Sequence, residues 1–190
     1  MKYYILFGPP GAGKGTQASA IAAKYNLKHI STGELLRAEI AAGTELGRMA
    51  QSIIEAGNLV PDYIVEGMIE HVFHTTTDVA GFLLDGFPRT IPQAEALEVM
   101  LQERGTAVST VVGLEVPEEE LIRRIILRGQ QTGRSDDNME TVKNRLEVYN
   151  NQTSPLKAFY QEKGLYQVIP GTGSIDEIFD RIKQAVDAVK

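Results

Sequence analysis

The chain has 190 residues, of which 43% are hydrophobic and 23% charged, a composition typical of one globular domain with a buried core. Its net charge of −6 argues against non-specific nucleic-acid binding, and the absence of cysteine excludes disulfides and thiolate metal sites. The apolar run at the N-terminus is too short for a signal peptide, and no run is long enough to span a bilayer. We therefore expect a cytoplasmic protein that has no membrane or nucleic-acid partner.

Short apolar runs of β-prone residues alternate along the chain with segments of helical spacing. In chain order, the predicted strands are residues 2–7, 28–30, 81–85, 110–116 and 165–169. The predicted helices are residues 13–25, 92–104, 117–128, 138–163 and 174–189, and Pro155 predicts a break near Ser154. Strands that alternate with helices predict an α/β fold, with a central five-stranded parallel sheet between two helical layers.

A glycine-rich segment follows the first predicted strand. Residues 8–16 read Gly-Pro-Pro-Gly-Ala-Gly-Lys-Gly-Thr, close to the pattern G-x-x-x-x-G-K-[S/T], with Gly15 at the hydroxyl position and Thr16 one place later. In such a loop, backbone N–H groups and the positive end of the next helix bind phosphate. A Gly-rich hairpin is the alternative, but the preceding strand and the following helix favour a phosphate loop. Lys14 adds one mobile positive charge.

Two stretches depart from the regular alternation. Residues 31–60 form a helical insert interrupted by glycines, and residues 129–137 are polar and lie between two predicted helices. Taken alone, each is compatible with an ordinary surface connection. The arginines around them favour a part in binding an anion, because a cluster of like charges gains nothing without one.

Three further motifs complete the pattern: residues 31–37 (STGELLR), 84–93 (LDGFPRTIPQ) and 128–137 (RGQQTGRSDD). With the phosphate loop, they resemble the short-lid branch of the nucleoside monophosphate kinase family over essentially the whole chain. The resemblance implies a P-loop core made of residues 1–30, 61–128 and 138–190, an insert at 31–60 that binds the monophosphate, and a lid at 129–137. It also implies transfer of the terminal phosphoryl group of ATP to AMP, giving two ADP, with Mg²⁺ and no zinc.

The same resemblance assigns roles to individual residues. The expected ATP-binding residues are Gly11, Ala12, Gly13, Lys14, Gly15, Thr16, Arg128 and Gly173. The expected AMP-binding residues are Thr32, Arg37, Asn58, Leu59, Val60, Gly86, Phe87, Pro88, Arg89, Gln93, Arg134 and Arg145. The expected catalytic residues are Lys14, Arg89, Arg124, Arg128, Arg134 and Arg145. Gln93 is expected to read the adenine edge, and Asp85 is expected to hold Mg²⁺ through water.

Charge counting is consistent with two nucleotides. ATP and AMP bring roughly −6 between them and Mg²⁺ returns +2, and seven cations are available to neutralise the remainder. Two readings stay open beside AMP phosphorylation. One is a kinase for UMP or CMP on the same fold, whose members typically replace Thr32 and Gln93. The other is a nucleotide-binding module without catalysis.

A few other residues carry weaker expectations. Asp137 is predicted to cap a helix, Asp136 either orients a lid arginine or has no specific role, and Arg181 is predicted to be a surface residue. No large apolar stripe is left over after the core is built, so we expect a monomer. Three histidines lack carboxylate or cysteine neighbours at ligand spacing and are not expected to bind metal or act as a base: His29, His71 and His74.

Overall fold

A parallel five-stranded sheet lies at the centre of the computed structural model, which describes residues 1–189. The strands are β1 (Lys2–Phe7), β2 (Leu27–Ser31), β3 (Gly81–Asp85), β4 (Thr110–Glu115) and β5 (Tyr166–Pro170). Their spatial order is β2-β3-β1-β4-β5, and every neighbouring pair is parallel. The predicted α/β class and the five-stranded parallel sheet are confirmed.

Helices connect the strands and cover both faces of the sheet. They are α1 (Lys14–Tyr25), α2 (Thr32–Ala42), α3 (Glu45–Glu55), α4 (Asp62–Thr75), α5 (Ile91–Glu103), α6 (Glu118–Thr132), α7 (Met139–Val148), α8 (Pro155–Glu162) and α9 (Ile175–Asp187). A π-helical turn at Tyr149–Thr153 separates α7 from α8. The break predicted next to Pro155 is therefore confirmed. Within the described part of the chain, no helix has the length and apolarity that crossing a bilayer requires.

Strand β1 shows why the apolar runs are continuous. Tyr3, Ile5 and Phe7 pack into one apolar cluster, whereas Tyr4 and Leu6 pack into a second cluster on the opposite face. All five side chains are buried, because helices cover a parallel sheet on both faces and leave no polar side. The first cluster includes side chains of α4, α5 and α8, and the second includes side chains of α1, α6, α7 and α9.

Two helices differ from the sequence prediction. Helix α4 was not predicted, although Val65, Ile69 and Phe73 stand four residues apart and are all buried against the first cluster. Helix α6 continues four residues beyond the predicted end, and Gly133 terminates it with a φ of 69°. The first residues of the predicted lid are therefore helical, and only a short segment from Gly133 to Asn138 connects α6 to α7.

Candidate active site

The phosphate loop joins the end of β1 to the start of α1. Gly11 and Gly13 have φ values of 82° and 95°, a region that favours glycine. A Cβ at Gly11 would also lie 2.9 Å from the Leu121 carbonyl oxygen, so the loop packs closely against α6. Lys14, the first residue of α1, folds back and donates from Nζ to the Gly8 and Pro9 carbonyl oxygens at 2.8 and 3.0 Å. The loop therefore has the curled backbone and the lysine that a phosphate site needs.

A cleft opens beside this loop and between the parts of the chain that the motifs mark. The predicted site residues that line it are Lys14, Thr32, Arg37, Asn58, Leu59, Val60, Gly86, Pro88, Arg89, Gln93, Arg134 and Arg145. Residues that were not predicted also contribute, and the aromatic Tyr149 and the apolar Leu36 and Ile54 are among them. The cleft therefore combines cations with apolar side chains, as a nucleotide site requires.

The cations of the cleft are partly buried and lie close to one another. Burial lowers the pKa of Lys14 to about 8, and Arg89 and Arg145 add to the effect while Asp85 opposes it. Burial also lowers the pKa of Arg89 to about 10, with a further contribution from Arg145. The pKa of Arg37 and that of Arg145 are lowered too, again mainly by burial. Burial thus disfavours the charged form of these side chains. Such a group of cations is typical of a site that binds an anion.

Gly86 organises the residues at the end of β3. Its carbonyl oxygen accepts hydrogen bonds from Thr32 Oγ1 at 3.0 Å and from Arg89 Nε at 2.8 Å. Its φ is 87°, and a Cβ there would lie 2.8 Å from Thr32 Oγ1 and 2.9 Å from an Arg89 nitrogen. A side chain at position 86 would therefore displace both residues, which explains why glycine stands between Asp85 and the arginine motif.

Gln93 lies at the first turn of α5, where its side chain is held by two partners. Its Oε1 accepts from the Arg89 backbone N–H at 2.7 Å, and its Nε2 donates to Asp62 Oδ1 at 2.8 Å. The residue is 2% exposed, so its amide is buried against the cleft. Asp62 was not among the predicted site residues.

Three arginines in and beside the predicted lid are paired with two adjacent aspartates. Arg128 forms a bidentate pair with Asp137 at 2.7 and 2.8 Å, and Arg134 forms one with Asp136 at 3.1 and 2.9 Å. Arg145 Nη1 contacts both carboxylates, at 2.9 Å for Asp137 and 3.4 Å for Asp136. Of the two predictions left open for Asp136, the pairing with an arginine of the predicted lid, Arg134, is confirmed.

The capping role predicted for Asp137 is wrong. Asn138 is the residue that caps α7, because its Oδ1 accepts from the Thr141 backbone N–H at 3.0 Å. The Asp137 side chain has no solvent exposure and is enclosed by arginines instead. A buried carboxylate needs charged partners, and this requirement outweighs capping at a helix end.

Arg124 lies on the other side of the phosphate loop. Its guanidinium donates to Glu120 Oε1 at 2.9 Å, to the Ala12 carbonyl at 3.4 Å and to the Gly171 carbonyl at 2.9 Å. It therefore joins the phosphate loop to the segment between β5 and α9. Like Arg128 and Asp85, it is not among the residues that line the cleft.

The segment between β5 and α9 contains Gly173, whose φ is 113°. Arg181, predicted to be a simple surface residue, donates from Nη1 to the Pro170 and Thr172 carbonyl oxygens, both at 2.7 Å. Glu177 accepts from the Ser174 N–H at 2.8 Å in a capping box. This turn is thus held by charged side chains on α9.

The structure differs from the sequence prediction for Phe87, which was expected to bind AMP, and for His29, which was expected to have no carboxylate neighbour. Phe87, predicted to contact AMP, is 1% exposed and packs into the first apolar cluster. His29 Nε2 lies 3.1 Å from Asp85 Oδ2, so this histidine does have a carboxylate neighbour. The pair follows from the register of β2 and β3, where Ser31 lies opposite Asp85. Within residues 1–189, no group of three or more His, Asp or Glu side chains could hold a metal ion by itself.

Strand β1, the glycine loop and α1 together define a P-loop nucleotide-binding fold. The adenylate kinase family model matches residues 6–165. Curated adenylate kinases are similar along nearly their whole length: one from Bacteroides fragilis is 54% identical and covers 97% of this chain and 98% of its own. Those from Parabacteroides distasonis and Leptospira biflexa are 53% and 48% identical, cover 98% of this chain, and are themselves covered to 98% and 100%. The chain belongs to the adenylate kinase family.

Proposed function

We propose that ATP and AMP meet end to end in the cleft of this enzyme, which catalyses the reversible reaction ATP + AMP = 2 ADP. The observation that carries the arrangement is the group of partly buried, mutually close cations that line the same cleft as the phosphate loop and Gln93. Burial lowers the pKa of Lys14 to about 8 and that of Arg89 to about 10, so both gain from an anion. Two nucleotides supply enough negative charge for the whole group.

ATP is assigned to the loop side of the cleft. We propose that its phosphates contact the backbone of the phosphate loop with Lys14 and Arg128, and that its base lies beside Gly173. Arg124 supports this side, because it bonds to carbonyls of both the phosphate loop and the segment before Gly173. The remaining ATP-binding residues in this proposal are Gly11, Ala12, Gly13, Gly15 and Thr16.

AMP is assigned to the other end of the cleft. Its phosphate would contact arginines, and its base would lie between the apolar wall and Gln93. The residues proposed to bind it are Thr32, Arg37, Asn58, Leu59, Val60, Gly86, Pro88, Arg89, Gln93, Arg134 and Arg145, all of which line the cleft. Phe87 is buried below them and supports the site from the core rather than from its surface.

No general base is required for the transfer. The second pKa of a phosphate monoester is near 6, so the attacking oxygen of AMP is already ionised at neutral pH. The work of the protein is then to align the two phosphates, neutralise their charge and keep water out. Arginine suits this work because its planar fork bonds two phosphate oxygens at once.

Asp85 fits a role in holding Mg²⁺ through water. Mg²⁺ bound to nucleotides usually takes one or two carboxylates together with phosphate oxygens and water, so a single buried carboxylate near the phosphate loop suffices. Asp85 is 6% exposed, and His29 contacts one of its two oxygens. When bound, the ion would neutralise charge on the phosphates. Asp85 also lies close enough to Lys14 to oppose the lowering of its pKa by burial, so the carboxylate and the lysine are neighbours beside the phosphate loop.

We also propose that the insert at 31–60 and the lid at 129–137 close over the nucleotides. In this structure the guanidinium of Arg128 is paired with Asp137, and that of Arg134 with Asp136. We propose that phosphate oxygens also bind these two guanidinium groups when the nucleotides are present. The enzyme is proposed to act as a cytoplasmic monomer whose partners are ATP, AMP and ADP.

A coupled spectrophotometric assay tests the acceptor directly. The protein is mixed with ATP and Mg²⁺ and, separately, with AMP, UMP, CMP or GMP, while ADP formation is followed. We expect rapid turnover with AMP. Turnover only with UMP or CMP would show a pyrimidine nucleotide kinase, and ATP binding without transfer to any acceptor would show a binding module.

A further inference from the structure

The amide of Gln93 has only one orientation that its partners allow. Oε1 faces the Arg89 backbone N–H at 2.7 Å, and Nε2 faces Asp62 Oδ1 at 2.8 Å. A backbone N–H can only donate, and a carboxylate can only accept. A flipped amide would place N–H against N–H on one side and oxygen against oxygen on the other. Two mismatches in a side chain that is 2% exposed therefore oppose the flip.

The bonds to Arg89 and Asp62 leave part of the amide free. A glutamine amide has two N–H donors and two lone pairs on its oxygen, so one donor and one lone pair remain after these contacts. Gln93 lines the cleft, and the remaining pair is available to a ligand there. A glutamine amide can form two hydrogen bonds to a purine, one as donor and one as acceptor. The direction in which the amide points then determines how the base is oriented.

The orientation of the amide determines which purine it accepts. Adenine carries an amino group at position 6, which donates, whereas hypoxanthine and guanine carry an oxygen there, which accepts. An amide whose oxygen is fixed toward that position accepts from the amino group and repels the 6-oxo group. A freely flipping amide would accommodate either base.

We propose that Asp62 is a specificity-determining positioning residue, which holds the Gln93 amide in the orientation that selects a 6-aminopurine over a 6-oxopurine monophosphate. The inference rests on the proposed role of Gln93 in binding the AMP base. Thr90 supports the arrangement, since its Oγ1 lies 3.5 Å from Asp62 Oδ1 and also accepts from the Gln93 backbone N–H at 3.2 Å. One carboxylate oxygen thus links the starts of α4 and α5.

A simpler role for Asp62 is an acidic residue in the first turn of α4, where it favours the helix. That role predicts a change in stability and none in base preference. The ratio of kcat/KM for AMP to kcat/KM for IMP therefore distinguishes the two roles, because a loss of stability lowers both values equally.

The experiment measures kcat/KM for AMP and for IMP at saturating ATP. IMP differs from AMP by the 6-oxo group and the proton on the neighbouring nitrogen. In Asp62→Asn the new amide can either donate or accept, so one of the two mismatches against the flip is lost. We expect the preference for AMP over IMP to fall about tenfold, as for one unmatched buried polar group, with the KM for ATP unchanged. Asp62→Ala, which removes the acceptor altogether, is a second variant with the same expectation.

Glu70→Gln is the matched control, because it removes the same charge from an exposed position on α4. It should keep the preference of the original protein. A preference that stays unchanged in both Asp62 variants would overturn the inference, and so would an equal fall in Glu70→Gln. Gln93→Leu separates this failure from that of the proposed site: an unchanged KM for AMP in that variant would remove Gln93 itself from base recognition.

Discussion

Lys14 is a proposed phosphate-binding residue whose charge is expected to depend on pH not far above neutrality. Burial lowers its pKa to about 8, so the free protein begins to lose this positive charge as the pH rises through that value. Phosphate favours the charged form, and binding above pH 8 therefore takes up a proton. We expect the affinity for ATP to fall by up to about tenfold for each pH unit above pH 8.

Titration calorimetry with ATP in buffers of different ionisation enthalpy measures this proton uptake. Lys14→Gln has no charge to gain and should show no inflection near pH 8, although its affinity is lower throughout. An ATP affinity that stays constant from pH 7 to 9.5 in the unmodified protein would contradict the role assigned to Lys14.

Gly173 gives a second test at the same scale. Its φ of 113° disfavours any side chain, and a Cβ there would lie 2.5 Å from Glu177 Oε2. We expect Gly173→Ala to shift the segment before α9 and to raise the KM for ATP several-fold, while the KM for AMP stays constant. Steady-state kinetics with each substrate varied in turn measures the difference.

Gly164→Ala is the control for backbone strain, because Gly164 has a φ of 69° but a Cβ added there would have no neighbouring atom within 4 Å. It should cost stability of about 1–2 kcal/mol without changing either KM. If both substitutions changed the KM for ATP equally, the result would contradict a role in ATP binding for the segment that contains Gly173.

At the scale of elements, helix α7 is tied to the end of α3. Thr141 Oγ1 donates to the Glu55 carbonyl at 3.0 Å, and Asn144 Nδ2 donates to the Ala56 carbonyl at 2.5 Å and to Asn58 Oδ1 at 3.0 Å. The same helix carries Arg145, which lines the cleft with Asn58. The helix that follows the predicted lid is thereby joined to the wall of the proposed AMP pocket.

We expect Asn144→Ala to raise the KM for AMP about fivefold, because it removes the hydrogen bond to Asn58 and the one to the Ala56 carbonyl nearby. The KM for ATP should change little. Lys143→Ala, at the exposed neighbouring position, is the control and should leave both constants unchanged. Kinetics that show the same increase for the two substrates would indicate a general loss of structure instead.

The elements that could be predicted are those whose signal is local. Strand β1 stands next to the glycine loop and is apolar on both faces, so the run of five apolar residues at 3–7 reveals it in the sequence. The end of α6 was missed because it extends into polar residues that carry no apolar period, up to Gly133. Helix α4 has the apolar period, but charged residues and Gly67 lie between its buried positions.

The candidate site divides in the same way. Contiguous motifs such as the phosphate loop and residues 84–93 can be recognised in the sequence, because their residue types and spacing carry the chemistry. Asp62 contacts Gln93 across 31 positions, and His29 contacts Asp85 across 56. Such pairs depend on which strands and helices become neighbours, and no local pattern contains that information.

At the scale of the whole molecule, the net charge is −6 although the cleft is strongly cationic. Arg134, in the connection between α6 and α7, and Arg145, on α7, line the cleft together with Lys14 and Arg89. Arg128, on α6, is close enough to contribute to the lowered pKa of Lys14. In this structure Asp136 and Asp137 balance part of that charge. The fold therefore concentrates positive charge where the two nucleotides are proposed to meet.

The most direct test is a crystal structure with a bisubstrate ligand in which two adenosines are joined by a polyphosphate chain. We expect Lys14, Arg89 and Arg145 to lie within hydrogen-bond distance of the phosphates, with one adenine beside Gln93 and the other beside Gly173. A bound ligand whose phosphates contact none of these cations, with both bases away from Gln93 and Gly173, would contradict the account.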